Sequence, residues 1–151
     1  MYSIAPGLDI LYSGEDDWNH LINKINQVLS LGCVQFAILF DDIPFELSIE
    51  DRSVFSSFAH AQGHVTNRLY DTLQKIDSNS SLIFCPTVYC GRMEDYDVPG
   101  NAYLEPFAKP IAQIKKFKIR MLFVRKLINS YAINCISCLN QTNFNSFIFI
   151  L

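Results

Sequence analysis

The chain has 151 residues, 50% of them hydrophobic, and a formal net charge of −3, so it can hold one modest domain with a packed core. Its acidic balance argues against a nucleic-acid binder. The average conceals an asymmetry: all 15 acidic residues lie between Asp9 and Glu105, whereas seven of the 12 basic residues lie between Lys109 and Lys126 with no acid among them. Residues 1–106 and 107–151 therefore read as two kinds of sequence.

Taken in chain order, Tyr2 to Ala5 predicts a short strand closed by Pro6-Gly7. Glu15-Asp16-Asp17 opens an amphipathic run with Leu21, Ile22, Ile25, Val28 and Leu29 on one face and Gly32 just past its end. Acids at the start and glycine after the end are helix punctuation. Val34 to Phe40 is a continuous apolar, β-leaning run, the pattern of a strand buried on both faces. Ser48 to Asp51 resembles a weak capping box, and one long helix is expected from there to about Leu73, burying Phe55, Phe58, Ala59, Val65 and Leu69. Asp77 to Ser81 is a polar loop, and Leu82 to Thr87 is a further strand. Strand, helix, strand, helix, strand is the order of βαβ units, hence an α/β fold with a parallel sheet.

Such sheets place their chemistry at the carboxyl ends of the strands. Asp41-Asp42 follows one strand end, and Cys85-Pro86-Thr87-Val88-Tyr89-Cys90-Gly91 spans the next. Two adjacent carboxylates after a buried run cost desolvation and repulsion. Either they are a polar strand end that starts a turn, or their pKa values are pushed apart so that one stays ionised and the other can donate a proton. Adjacent strand residues face opposite sides, so both reach one ligand only where the strand has yielded to a loop, which Pro44 favours. Tyr89 is either an aromatic packed over a strand end or a hydroxyl available to a sugar.

Other constellations carry less. His60 and His64 are four apart, but His60-Ala61-Gln62-Gly63-His64 has no Glu after the first histidine and no evident third ligand, so both read as structural. Cys135-Ile136-Ser137-Cys138 has only the C-x4-C pair Cys85 and Cys90 as a partner, which argues against a zinc knuckle. No P-loop or G-x-G-x-x-G is present, and no cofactor is expected. Met1 to Ile4 has no basic, apolar leader pattern before Asp9, and five cysteines without framework spacing fit a reduced, intracellular setting. The apolar tail is broken by Arg125, Lys126, Asn129, Asn134, Asn140 and Asn143, so no membrane span is expected.

Several stretches then carry a resemblance: Tyr2-Ser3-Ile4-Ala5-Pro6-Gly7-Leu8-Asp9-Ile10, Phe36-Ala37-Ile38-Leu39-Phe40-Asp41-Asp42-Ile43, Val54-Phe55-Ser56-Ser57-Phe58-Ala59-His60-Ala61-Gln62, Phe84-Cys85-Pro86-Thr87 and Tyr89-Cys90-Gly91. In order and spacing, from about Tyr2 to Leu104, they resemble the catalytic domain of the O-GlcNAcases, glycoside hydrolase family 84. The resemblance implies a partial (β/α)8 TIM barrel, about strands 3 to 5 with their helices, over residues 1–106. It implies removal of β-linked N-acetylglucosamine from serine and threonine of nuclear and cytoplasmic proteins, and no metal or cofactor. In this family the acetamido oxygen of the substrate attacks its own anomeric carbon, outside the usual two-carboxylate scheme. Carried onto this chain, Asp42 is the proton donor and then the base that activates water, and Asp41 orients and polarises the acetamido group. Tyr89 touches the sugar and Cys85 lines the acetamido pocket. The expected partners are O-GlcNAc-modified proteins, with homo-oligomers expected of the full-length enzyme.

Val88 stands where animal enzymes carry Glu, and Pro44 and Phe45 replace polar residues after the aspartates. The strands supplying a lysine, and later asparagine and aspartate, to the sugar have no counterpart in the matched stretches, so this chain is expected to be an inactive fragment. The alternative is a non-catalytic binding or regulatory fragment that associates with a full-length subunit. Phe, Ile, Lys, Asn and Tyr, the products of A/T-rich codons, make up 25 of the 45 residues from Phe107 to Leu151. That segment reads as a divergent tail, with translated non-coding sequence as one origin.

Overall fold

The computed structural model describes residues 1–41, 43, 46–88 and 103, and the backbone of 119–124 and 147–150. It is an α/β fold built on a parallel sheet. Strand β1 (Tyr2–Ile4) leads to helix α1 (Glu15–Leu29), strand β2 (Gln35–Leu39), helices α2 (Ile49–Val54) and α3 (Phe58–Ile76), and strand β3 (Ser81–Cys85). Two more strands, β4 (Ile119–Val124) and β5 (Phe147–Ile150), follow in the segment where the sequence reading assigns none. The five strands lie side by side in chain order, and every neighbouring pair is parallel.

The first helix follows its sequence signals. Glu15, Asp16 and Asp17 occupy its first turn, where the peptide dipoles favour negative charge. The Asp17 carboxylate also accepts the Leu11 N–H at 2.7 Å. At the other end Gly32 takes φ +84°, and its N–H bonds the Leu29 carbonyl at 2.8 Å, so the chain turns toward β2 where a side chain would be strained. Leu21 and Ile25 are buried, and Ile22, Val28 and Leu29 pack at the margin of the core. Burial from Phe36 to Ile38 is continuous, as expected of a strand covered on both faces. Phe36, Phe40, Phe84, Ile38, Leu69, Leu73 and Leu82 form the centre of the core, each worth about 1.5–3 kcal/mol of apolar transfer.

The expected single long helix is instead two. Phe55 leaves α2 in an extended conformation, with φ −112° and ψ 133°, and turns its ring into the core. Two serines restart the chain, and the Ser57 Oγ caps α3 by accepting the His60 N–H at 3.1 Å. The Phe55 ring then lies against His60 and His64, with centroids 5.6 and 5.4 Å away. Burying one aromatic ring and gaining a cap together outweigh the continuous helix that local pattern favours.

The capping box is also only half of what the sequence predicts. Ser48 Oγ accepts the Asp51 N–H at 3.0 Å. The Asp51 carboxylate, however, reaches across to the loop before α1 and accepts the N–H groups of Tyr12 at 3.0 Å and Ser13 at 2.7 Å. Asp51 is fully buried, so those donors are its compensation for lost water. Between the helices, Arg68 forms a bidentate pair with Glu15 at 2.8 and 2.7 Å and lies 4.1 Å over the Trp18 ring. The hydrogen bond from Arg68 holds the Glu15 carboxyl below the usual carboxylate range. Because Glu15 is exposed, the pair sets the orientation of α1 on α3 more than it adds to stability.

Asp51→Ala leaves two backbone donors without their acceptor and is expected to cost about 2–4 kcal/mol, read as a lower urea midpoint. Asp51→Asn, which keeps one acceptor oxygen, should cost less. An Ala variant with an unchanged midpoint would show that the loop gains nothing from this carboxylate.

Candidate active site

The parallel register pairs Leu39 with Cys85 and so brings the carboxyl ends of β2 and β3 together. One residue beyond the ladder, the Phe40 N–H still donates to the Cys85 carbonyl at 2.9 Å. Asp41 follows in a turn and is half-buried. Cys85 ends β3 with its side chain buried, and its thiol is 3.8 Å from the Pro86 carbonyl. Two of the four residues expected from the sequence, Asp41 and Cys85, thus stand at adjacent strand ends. The other two, Asp42 and Tyr89, lie outside the described residues, as do Pro44, Phe45, Cys90 and the Cys135–Cys138 pair. Val88 is buried in the core.

Beneath this edge sits a buried polar group that the sequence reading misses. Thr87 Oγ1 donates to the Phe40 carbonyl at 2.6 Å and accepts from Gln62 Nε2 at 2.9 Å. The Tyr103 hydroxyl donates to Gln62 Oε1 and accepts the Thr87 N–H at 3.1 Å. Gln62 Nε2 also lies 3.4 Å from the Tyr12 hydroxyl. Gln62 and Thr87 are almost wholly buried. Burial pushes the Tyr12 hydroxyl pKa up to about 12 and raises that of Tyr103 as well, so both remain protonated donors at neutral pH. The signal that could have found Gln62 is its position: it shares the buried face of α3 with Ala59, Thr66, Leu69 and Leu73, where an amide is costly unless bonded.

The two histidines occupy a different face. His60 Nδ1 is 3.2 Å from Ser56 Oγ, and both rings pack on Phe55. With Asn67, Arg68 and Asp71 they line a cavity of about 350 Å³ on α3. Among the described residues no helix is long and apolar enough to cross a membrane.

A family model for beta-N-acetylglucosaminidase matches residues 1–114. The protein O-GlcNAcase of Mus musculus is 43% identical over 104 residues, which is 69% of this chain and 11% of that protein. That of Rattus norvegicus is also 43% identical over 104 residues, with the same coverage. The chain therefore spans 11% of the length of the curated relatives it matches. Among solved structures, a mutant of the Thermobaculum terrenum O-GlcNAc hydrolase superposes with a TM-score of 0.75 at 28% identity, covering 91% of this chain and 29% of the other. CpGH84B gives 0.60 at 28% identity over 81% of this chain and 20% of its own. With its aspartate at the end of a buried parallel strand and this match across most of its length, the chain belongs to the beta-N-acetylglucosaminidase family that contains the O-GlcNAcases, glycoside hydrolase family 84.

Proposed function

We propose that this chain carries the acid–base edge of a retaining, substrate-assisted site that removes N-acetylglucosamine β-linked to serine and threonine of nuclear and cytoplasmic proteins. The observation that carries the reading is Asp41 at the carboxyl end of β2, beside the end of β3, in a sheet whose strands never reverse their order. An unreversed parallel order is what a (β/α)8 barrel requires and a doubly wound sheet lacks, and barrels build their sites at that edge. Residues 1–106 are then part of the catalytic barrel, with residues 107–151 as a divergent segment. The pairing of β4 with β3 and of β5 with β4 favours continuation of the sheet into that segment.

In this site the substrate supplies the nucleophile. Asp41 accepts the acetamido N–H, which turns the acetamido oxygen toward the anomeric carbon and raises its electron density. Asp42 protonates the departing serine or threonine oxygen as the oxazoline forms. It then takes a proton from the water that opens the oxazoline, so configuration is retained. Tyr89 bonds the sugar and Cys85 closes the acetamido pocket. O-GlcNAc-modified proteins are the partners, and the intact enzyme is a homo-oligomer.

The test is a chimera of mouse O-GlcNAcase that carries this chain's matched segment in place of its own. Asp42→Asn should lower turnover of substrates with poor leaving groups by roughly 10²–10⁴-fold, the range of general acid catalysis. Activated aryl glycosides, which depart without protonation, should lose less, and equal losses would refute the acid assignment. Asp41→Asn should slow both classes, because acetamide participation serves every substrate. Full activity in that variant would leave Asp41 a structural role only.

For the 151-residue chain by itself, release of an aryl leaving group from an N-acetylglucosaminide is expected to be negligible. Eight strands close such a barrel, whereas the described residues form five, and positioning can contribute about 7–11 kcal/mol to catalysis. Turnover that vanishes in Asp42→Asn would overturn this expectation. Inactivity combined with stable association with a full-length subunit would favour a non-catalytic, regulatory role.

A further inference from the structure

We infer that Thr87 and Gln62 are positioning residues for Asp41, holding the backbone from which its carboxylate projects; this rests on the proposed role of Asp41. The direction of each bond among Thr87, Gln62, Tyr103 and the Phe40 carbonyl is fixed. Thr87 has one hydroxyl proton and gives it to the Phe40 carbonyl at 2.6 Å, so its oxygen can only accept from Gln62 Nε2, at 2.9 Å. That sets the face of the Gln62 amide and leaves Oε1 to take the Tyr103 proton. The Tyr103 oxygen then accepts the Thr87 N–H at 3.1 Å, which closes a ring of three residues. No member can rotate without breaking a second bond, and the ring is tied to the carbonyl next to Asp41 through the Thr87 hydroxyl.

Position separates this from ordinary core satisfaction. Phe40 lies beyond the β2–β3 ladder, where the pleat no longer dictates direction, yet both of its backbone polar groups are bonded, the N–H to Cys85 and the carbonyl to Thr87. Gln62 comes from α3 and Tyr103 from beyond β3, and both bond Thr87, the residue whose hydroxyl holds the Phe40 carbonyl. Desolvating two side chains and a carbonyl is costly, and the cost falls at the end of the sheet that carries the aspartate rather than at its centre.

Two measurements test the inference. In the full chain labelled with ¹³C at the Phe40 carbonyl, Thr87→Val should move that resonance upfield, as a carbonyl does on losing its donor. It should also speed amide exchange at Asp41 about tenfold, while Thr87→Ser, which keeps the hydroxyl, restores both. In the chimera, Thr87→Val should lower kcat by about ten- to a hundredfold with little change in KM, and Thr87→Ser should recover it. If Thr87→Val does not fold, Gln62→Met, which deletes the amide and leaves Thr87 on Phe40, should give a smaller loss in kcat of the same kind. Normal kcat in every variant that folds, with Asp41→Asn slow, would overturn the positioning role and leave the catalytic reading standing. Normal turnover in Asp41→Asn would instead sink the catalytic reading, while the carbonyl resonance would still report on the ring. An unmoved resonance in Thr87→Val would show that the hydroxyl does not hold Phe40.

Discussion

Phe40 is the residue on which the candidate site depends. Its ring is fully buried and its N–H and carbonyl are both bonded, to the Cys85 carbonyl and the Thr87 hydroxyl. A buried backbone group without a partner costs about 1–3 kcal/mol, so the end of β2 cannot fray toward solvent as strand ends commonly do. Asp41 therefore leaves the sheet from a fixed origin. In the proposed site a flexible strand end would hold this carboxylate in position for only part of the time, and catalysis by orientation is sensitive to displacements of about an ångström.

The outer layer supports that edge through the loop that precedes α1. Asp51 holds the backbone of Tyr12 and Ser13, and the Tyr12 ring meets Phe40 with centroids 6.2 Å apart and Phe58 at 5.8 Å. One buried carboxylate on a short helix thus connects the β1–α1 loop to the same phenylalanine that carries the aspartate. Losing that connection is costly, because it leaves the two backbone donors without an acceptor. The exposed Glu15–Arg68 pair is a weaker device and works by geometry.

The extent to which the site is legible in sequence follows from the range of the interactions. Asp41 and Cys85 are legible because each closes an apolar run, and an apolar run of strand length has an end that can be read without knowing its neighbours. Gln62, Thr87 and Tyr103 are not, since the partners that define the buried group are 16 to 50 residues away and no local pattern records which distant hydroxyl an amide meets. Asp51 was legible as a cap residue and illegible as a loop anchor for the same reason.

The sequence by itself determined the alternation of strand and helical segments from Tyr2 to Cys85, the punctuation of α1 at Gly32 and the double-sided burial of β2. Each of these is written in a period, a charge or a glycine within one or two turns of chain. The tertiary structure alone decided where the expected long helix breaks. Burying the Phe55 ring beneath His60 and His64, with Ser57 free to cap, gains more than the helical hydrogen bonds it forgoes. It also decided that β4 and β5 join the sheet, because the partner of a parallel strand is set by an edge formed elsewhere in the chain rather than by the strand's own composition.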